Sequence, residues 1–361
     1  MRAELRPASN KTKFLALTIL VALTGTALAQ STNGILPGPE PADVPPAWRP
    51  WIGEYGAAPN SAPLSMVELI SEREGYVVMS RRITGSHGAR YENEEEFPAR
   101  GSSPEAHGLR IGHSGKRELV SGDVVLEKIT PDFDARAQVL ITPVRPVSEL
   151  RAEALVATPP KETGHFRKPE LVELAPLDPA IHLDIRYATA NDFLGAPVYS
   201  QARAFLERPA AEALLRVLQK LKPLGYGLLI HDAYRPWYVT KIFWDATPPE
   251  GKIFVADPAQ GSRHNRGCAV DLTLYDLASG KPVEMAGTYD EMSPRSFPDY
   301  PGGTSLQRWH RDLLRRAMES QGFTVYEAEW WHFDYKDWKE YPILNVPFEK
   351  LGLDSGAARV N

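Results

Sequence analysis

Ser262-Arg-His-Asn-Arg-Gly-Cys-Ala-Val-Asp271 and, sixty residues later, Glu329-Trp-Trp-His332 are the stretches on which the reading of this chain turns. His264, Asp271 and His332 form a chemically sensible set for one divalent zinc. Two neutral imidazoles and a carboxylate leave a fourth position open for water, the layout of a catalytic rather than a structural site. The chain holds a single cysteine, Cys268, so neither a multi-cysteine zinc or iron–sulfur site nor a disulfide framework is available to it. Taken singly, His264 reads as a loop histidine, Asp271 as a strand-edge carboxylate and Glu329 as a surface charge. The two strings together fix residue identity at about eight positions in order, which isolated roles do not require.

The spacing imposes a geometric condition. His264 falls in a loop before Gly267, and Asp271 on the strand that follows; the glycine lets the backbone bend or pack closely between them. Glu329 and His332 are three apart, and on a regular strand such side chains leave opposite faces. Both reaching one centre requires a bulge or a strand onset. A helical pair at i and i+3 is the other solution, although Trp-Trp-His-Phe-Asp-Tyr is weak helix sequence.

Around these strings the texture is mixed. Ile181-His-Leu-Asp-Ile-Arg-Tyr, Gly227-Leu-Leu-Ile-His, Ala269-Val-Asp-Leu-Thr-Leu-Tyr and Phe323-Thr-Val-Tyr read as strands. Helices are expected from Arg208 and from Leu306 to Ser320, with leucines at helical spacing. Without regular βαβ alternation the fold class is α+β. Upstream, from about residue 64 to 141, short alternating runs separated by turn residues predict a small all-β module. Residues 142–170 read as a connector, and the Pro-rich stretch 30–63 as a linker.

Residues 1–29 read as a signal peptide. Arg2, Arg6, Lys11 and Lys13 precede the apolar run Phe14 to Leu23, and Ala27-Leu28-Ala29 offers a cleavage site before Gln30. The run is shorter than the ~20 residues of a spanning helix. The mature protein is therefore expected in the periplasm or secreted, with no stable membrane insertion after cleavage. With 41 Lys+Arg against 46 Asp+Glu, the net charge of -5 argues against a dedicated nucleic-acid binder.

From about Asp184 to Tyr341 the chain resembles the zinc D-alanyl-D-alanine dipeptidases, the VanX-like group related to the D-Ala-D-Ala carboxypeptidases and to the Hedgehog fold. The resemblance is carried by the two metal strings, by Asp184-Ile-Arg-Tyr-Ala-Thr-Ala-Asn-Asp-Phe-Leu-Gly-Ala-Pro-Val-Tyr199, and by Gly225-Tyr-Gly-Leu-Leu-Ile-His-Asp-Ala-Tyr-Arg-Pro236. It implies a domain at 171–361 with a central, mainly antiparallel sheet flanked by helices. It also implies one zinc per chain on His264, Asp271 and His332, and a small dipeptide as substrate. Glu329 would be the general base, and Arg235 would stabilise the oxyanion. Tyr187 and Asp290 are the matched candidates for the substrate ammonium, and Ser262 for its carboxylate. Gly287 sits one place later than the family's usual Met-Gly step. Cys268 stands where a small residue such as Ser is common; it reads as a buried filler facing away from the metal, or else as a reactive thiol beside it. Two rival expectations are a zinc D,D-carboxypeptidase acting on cell-wall peptides and a non-catalytic, zinc-stabilised binding module. Asp334-Tyr-Lys-Asp-Trp-Lys-Glu reads as a solvated edge.

Overall fold

Strand and helix positions follow the periodicities of the chain. The computed structural model describes residues 34–57, 67–85, 88–130 and 141–351. The proposed signal peptide and residues 131–140 of the expected β module lie outside these residues.

The first seven strands are β1 (Gly53–Ala57), β2 (Val67–Arg73), β3 (Tyr76–Gly85), β4 (Gly88–Pro98), β5 (Leu109–Ile111), β6 (Arg117–Ser121) and β7 (Val124–Lys128). They pair antiparallel in the order β4-β3-β2-β1-β7-β6-β5. Alternation along the strands gives the sheet two faces. Tyr55, Ile70, Val77, Leu119 and Leu126 build an apolar core on one face, closed by Trp48, Trp51 and Phe97. On the other, Leu69 packs against Ala286 and Tyr300 of the C-terminal half. The linker expected at 30–63 is therefore corrected. Its Pro-rich composition conceals Trp48, Ile52 and Tyr55, all buried, and β1 is the middle strand of the sheet.

The stretch expected as a connector contains helix α1 (Val147–Val156), seated by Leu150 and Ala154. Short strands β8 (Leu171–Glu173), β9 (Ile181–Leu183) and β10 (Phe205–Glu207) follow, with β8 and β10 pairing as a ribbon. Helix α2 (Arg208–Leu221) begins with Pro in its first turn and buries Leu214, Val217, Leu218 and Leu221, one stripe at helical spacing. The remaining elements are β11 (Tyr226–Asp232), α3 (Trp237–Ala246), β12 (Ala269–Asp276), α4 (Ser305–Glu319), β13 (Phe323–Tyr326) and β14 (Glu329–Tyr335). Helix α4 opens with a capping box between Thr304 and Gln307.

The central sheet runs β13-β14-β12-β11-β9, antiparallel except for the β11–β9 pair. Strands β11 and β12 are buried along almost their whole length, as expected of a sheet covered on both faces. Helices α2 and α4 contribute Leu214, Leu218, Leu313 and Leu314 to the main core, alongside Leu228, Ile230, Val270 and Leu272. The molecule is thus α+β, and the sheet strands β12 and β14 carry Asp271, Glu329 and His332. Among the described residues, no helix is long and apolar enough to cross a membrane.

Candidate active site

Cross-strand pairing builds the first half of the site. Asp271 on β12 lies directly opposite His332 on β14, and such neighbours stand within side-chain reach. His264 arrives from a single helical turn, His264–Arg266, that ends at Gly267 with φ +64°. L side chains rarely adopt that φ, and a Cβ on Gly267 would lie 2.6 Å from the end of the Leu171 side chain, so the turn favours glycine. The geometric condition on Glu329 is met by an irregularity in β14. Tyr326 of β13 faces Glu329, whereas Val325 faces Phe333. The residues between have no partner on β13, and Glu329 and His332 turn to the same side, 3.7 Å apart.

Three ligand atoms converge. His264 Nε2 and His332 Nδ1 are 3.1 Å apart. Asp271 Oδ1 lies 3.0 Å from the second and 3.4 Å from the first. Zinc bonds of ~2.0–2.1 Å at tetrahedral angles put neighbouring ligand atoms ~3.3 Å apart, so the spacing fits the ion. The chemistry fits as well. Asp271 Oδ1 is buried without a hydrogen-bond partner of its own. Burial works to raise the Asp271 carboxyl, but the two imidazoles outweigh it and hold the group below the usual carboxylate range. Burial likewise opposes charge on His332, yet Asp271 and Asp334 push it up to about 10. Positive charge is favoured between these groups.

The outer partners fix the tautomers. His264 Nδ1 donates to the Ala233 carbonyl at 2.6 Å, leaving Nε2 as the acceptor. His332 Nε2 meets Asp334 Oδ1 at 3.0 Å, leaving Nδ1 free for the centre. Asp334 is also paired with Arg263, so its reading as a solvated edge is corrected. Tyr289 Oη donates to Asp271 Oδ2 at 3.3 Å.

Arg235 is brought to the same place by Asp232. Both Nε and Nη2 donate to Asp232 Oδ2, at 2.9 and 2.7 Å. The other oxygen, Oδ1, accepts from Tyr199 Oη at 2.6 Å. The guanidinium packs over the adjoining rings of Tyr187 and Phe243, 5.4 and 4.8 Å from their centroids. Asn265 ties the Ser262–Asp271 string to the segment carrying Arg235. Its Nδ2 donates to the Arg235 carbonyl at 2.8 Å, and its Oδ1 accepts from Ser262 N at 2.7 Å.

All eight residues singled out from the sequence line one cavity of about 410 Å³. Tyr187 Oη donates to Asp290 Oδ2 at 2.8 Å across 103 positions of sequence. Asp290 holds φ +59°, in the left-handed region that non-glycine residues rarely enter. Burial, with a contribution from Asp271, raises its carboxyl to about 8 against the opposing Tyr187 bond. Burial also raises Glu329, opposed by His332. Cys268 is buried in the main core, and that burial pushes its thiol up, as a filler rather than a nucleophile.

Sequence comparison shows the family. The D-Ala-D-Ala dipeptidase family matches residues 167–349. The chain belongs to that family. It is 37% identical over 179 residues to the D-alanyl-D-alanine dipeptidase of Escherichia coli, an alignment covering 50% of this chain and 91% of the relative. The enzyme of that name from Enterococcus faecium is 35% identical over 187 residues, covering 46% of this chain and 92% of its own length. The one from Streptomyces coelicolor is 34% identical over 175 residues, 44% and 87%. In this member of the family, Asp232, Tyr199, Asn265, Tyr289 and Asp334 support the site, and sequence reading gave them no role. The alternation of His332 and Asp334 on one strand was the available signal for the last.

Proposed function

We propose that this protein is an exported, zinc-dependent dipeptidase that hydrolyses D-alanyl-D-alanine or a similar D-amino-acid dipeptide. The observation carrying this reading is that a tetrahedral ligand set, an acid and an arginine share one cavity with a buried carboxylate suited to a free amine. His264, Asp271 and His332 would hold the metal. Bound there, zinc supplies a Lewis acid for the scissile carbonyl and lowers the pKa of a water towards ~7. Glu329 takes a proton from the attacking water and returns it to the leaving amine. Arg235, kept charged and aimed by Asp232, stabilises the oxyanion; losing such a donor raises a barrier by about 3 kcal/mol. Asp290, with Tyr187, receives the substrate ammonium, and Ser262 its carboxylate.

Export rests on the basic, apolar and Ala-Leu-Ala regions of residues 1–29. The catalytic domain is assigned to 171–361. The β module ahead of it is an addition to the family's core, since the family match begins at residue 167.

The test is a hydrolysis panel with and without a chelator. D-Ala-D-Ala should be cleaved only with metal present, and an N-acylated analogue and L-Ala-L-Ala poorly. Preference for the acylated substrate would assign a carboxypeptidase instead. Zinc bound without turnover of any member would assign a binding module.

A further inference from the structure

Residues 277–304 join β12 to α4, and they hold one turn of helix, Pro294–Ser296. A connection of this length has little ladder hydrogen bonding to fix it and depends on packing. This segment carries Asp290 to the cavity wall. The N-terminal sheet holds it at three places. Near its start, Arg49 pairs with Glu284. At its end, Glu72 N donates to the Gly303 carbonyl at 3.1 Å, and the Glu72 carboxylate accepts from Ser305 N at 2.8 Å. Between these, Tyr300 Oη donates to Glu54 Oε1 at 3.2 Å. Tyr91 donates to the same oxygen, and Arg82 to the other.

Glu54 and Tyr300 are both nearly inaccessible, at 4% and 3% exposure. A buried carboxylate collecting three donors is a rigid anchor rather than a surface contact. From Tyr300 the segment is tied back towards Asp290: Tyr300 N donates to the Phe297 carbonyl at 3.1 Å, and Phe297 N to the Pro294 carbonyl at 3.3 Å. Arg295 Nε donates to the Ala286 carbonyl at 3.0 Å, and Arg295 Nη1 faces Glu291 at 3.4 Å. Glu291 Oε2 accepts from Thr288 N at 2.9 Å, closing a turn around Asp290. A Cβ on Gly287 would lie 2.5 Å from the Arg295 carbonyl oxygen, so the two limbs touch.

We propose that the N-terminal sheet is a platform that positions the Asp290 carboxylate for the substrate ammonium, with Glu54 and Tyr300 as its positioning pair. This rests on the reading of Asp290 given above. It gives the sheet a part in recognising the dipeptide although it touches none of the reacting atoms.

Tyr300→Phe and Glu54→Gln, made in the full mature chain, test it beside Asp290→Asn. KM and kcat for D-Ala-D-Ala, bound zinc and the melting temperature are measured for each. Expected is a KM about tenfold higher in Tyr300→Phe, with kcat within about twofold and zinc unchanged. Glu54→Gln should move KM the same way. Tyr300→Phe removes one oxygen and keeps the ring against Leu69, so it reports even if Glu54→Gln fails to fold. If Asp290→Asn raises KM while both sheet-side variants leave it unchanged, the platform is overturned and the reading of Asp290 stands. If Asp290→Asn leaves KM unchanged, both fall. Loss of zinc and a parallel fall in kcat in Tyr300→Phe would also overturn the proposal, since they mark general damage.

Discussion

Asp334 stands two positions after His332 on β14, so its side chain leaves the strand on the same side and reaches the imidazole. A carboxylate so placed fixes which nitrogen is free and raises its basicity. Asp334→Asn should therefore weaken zinc affinity by about 10- to 100-fold without abolishing binding, read by competition with a chromophoric chelator. Glu329 makes the opposite case: it is proposed as the general base and not as a ligand. Glu329→Ala should lower the hydrolysis rate by at least about a hundredfold while metal analysis still finds one zinc per chain. Zinc loss in that variant would make Glu329 a ligand and leave the base unassigned. Residues of this kind were legible because their chemistry demands a particular side chain at a particular spacing. Asp232 and Asp334 were not, because a carboxylate serving another side chain looks the same in sequence as one serving water.

Elements decide how far apart the chemical groups stand. The residues of β14 without a partner on β13 turn a three-residue spacing, which a straight strand would split across two faces, into a shared direction. That requirement could be read in advance. The place of β1 could not, because prolines and glycines around Trp48 and Tyr55 give the composition of a tether, and the pairing with β7 that makes it a middle strand is non-local. Strand β10 offers a test of its own. Glu207 at its end is almost wholly buried, its Oε2 accepts from Glu170 N, and burial raises its carboxyl to about 7. An acid raised in the folded state binds its proton more tightly there than in the unfolded chain. Its contribution is favourable below the unfolded value near 4.5 and is lost as pH rises towards 7. Across that window, wild type should lose melting temperature relative to Glu207→Gln. Parallel melting curves for the two proteins from pH 4.5 to 7 would show that Glu207 does not titrate there.

At the scale of the molecule, two cores meet through a polar seam: Glu54 with Tyr300, Glu72 with Ser305, and Leu69 against Ala286. Glu54 and Glu72 would each lose the donors that come from the other half if one half opened alone. Calorimetry should therefore show one cooperative transition, and Leu69→Arg should split it into two. Two peaks in the unaltered protein would mean the halves are loosely joined. Fold class and the central sheet were legible because long buried strands announce themselves. The seam was not, since it joins residues more than 200 positions apart.

All seven strands of the N-terminal sheet come from residues 53–128, an unbroken run that is synthesised before any part of the zinc-site strings. A nascent chain can therefore complete that sheet while Asp290 and His332 are still untranslated. The last segments to emerge then settle onto a surface already formed, instead of searching for a partner that is itself unfolded.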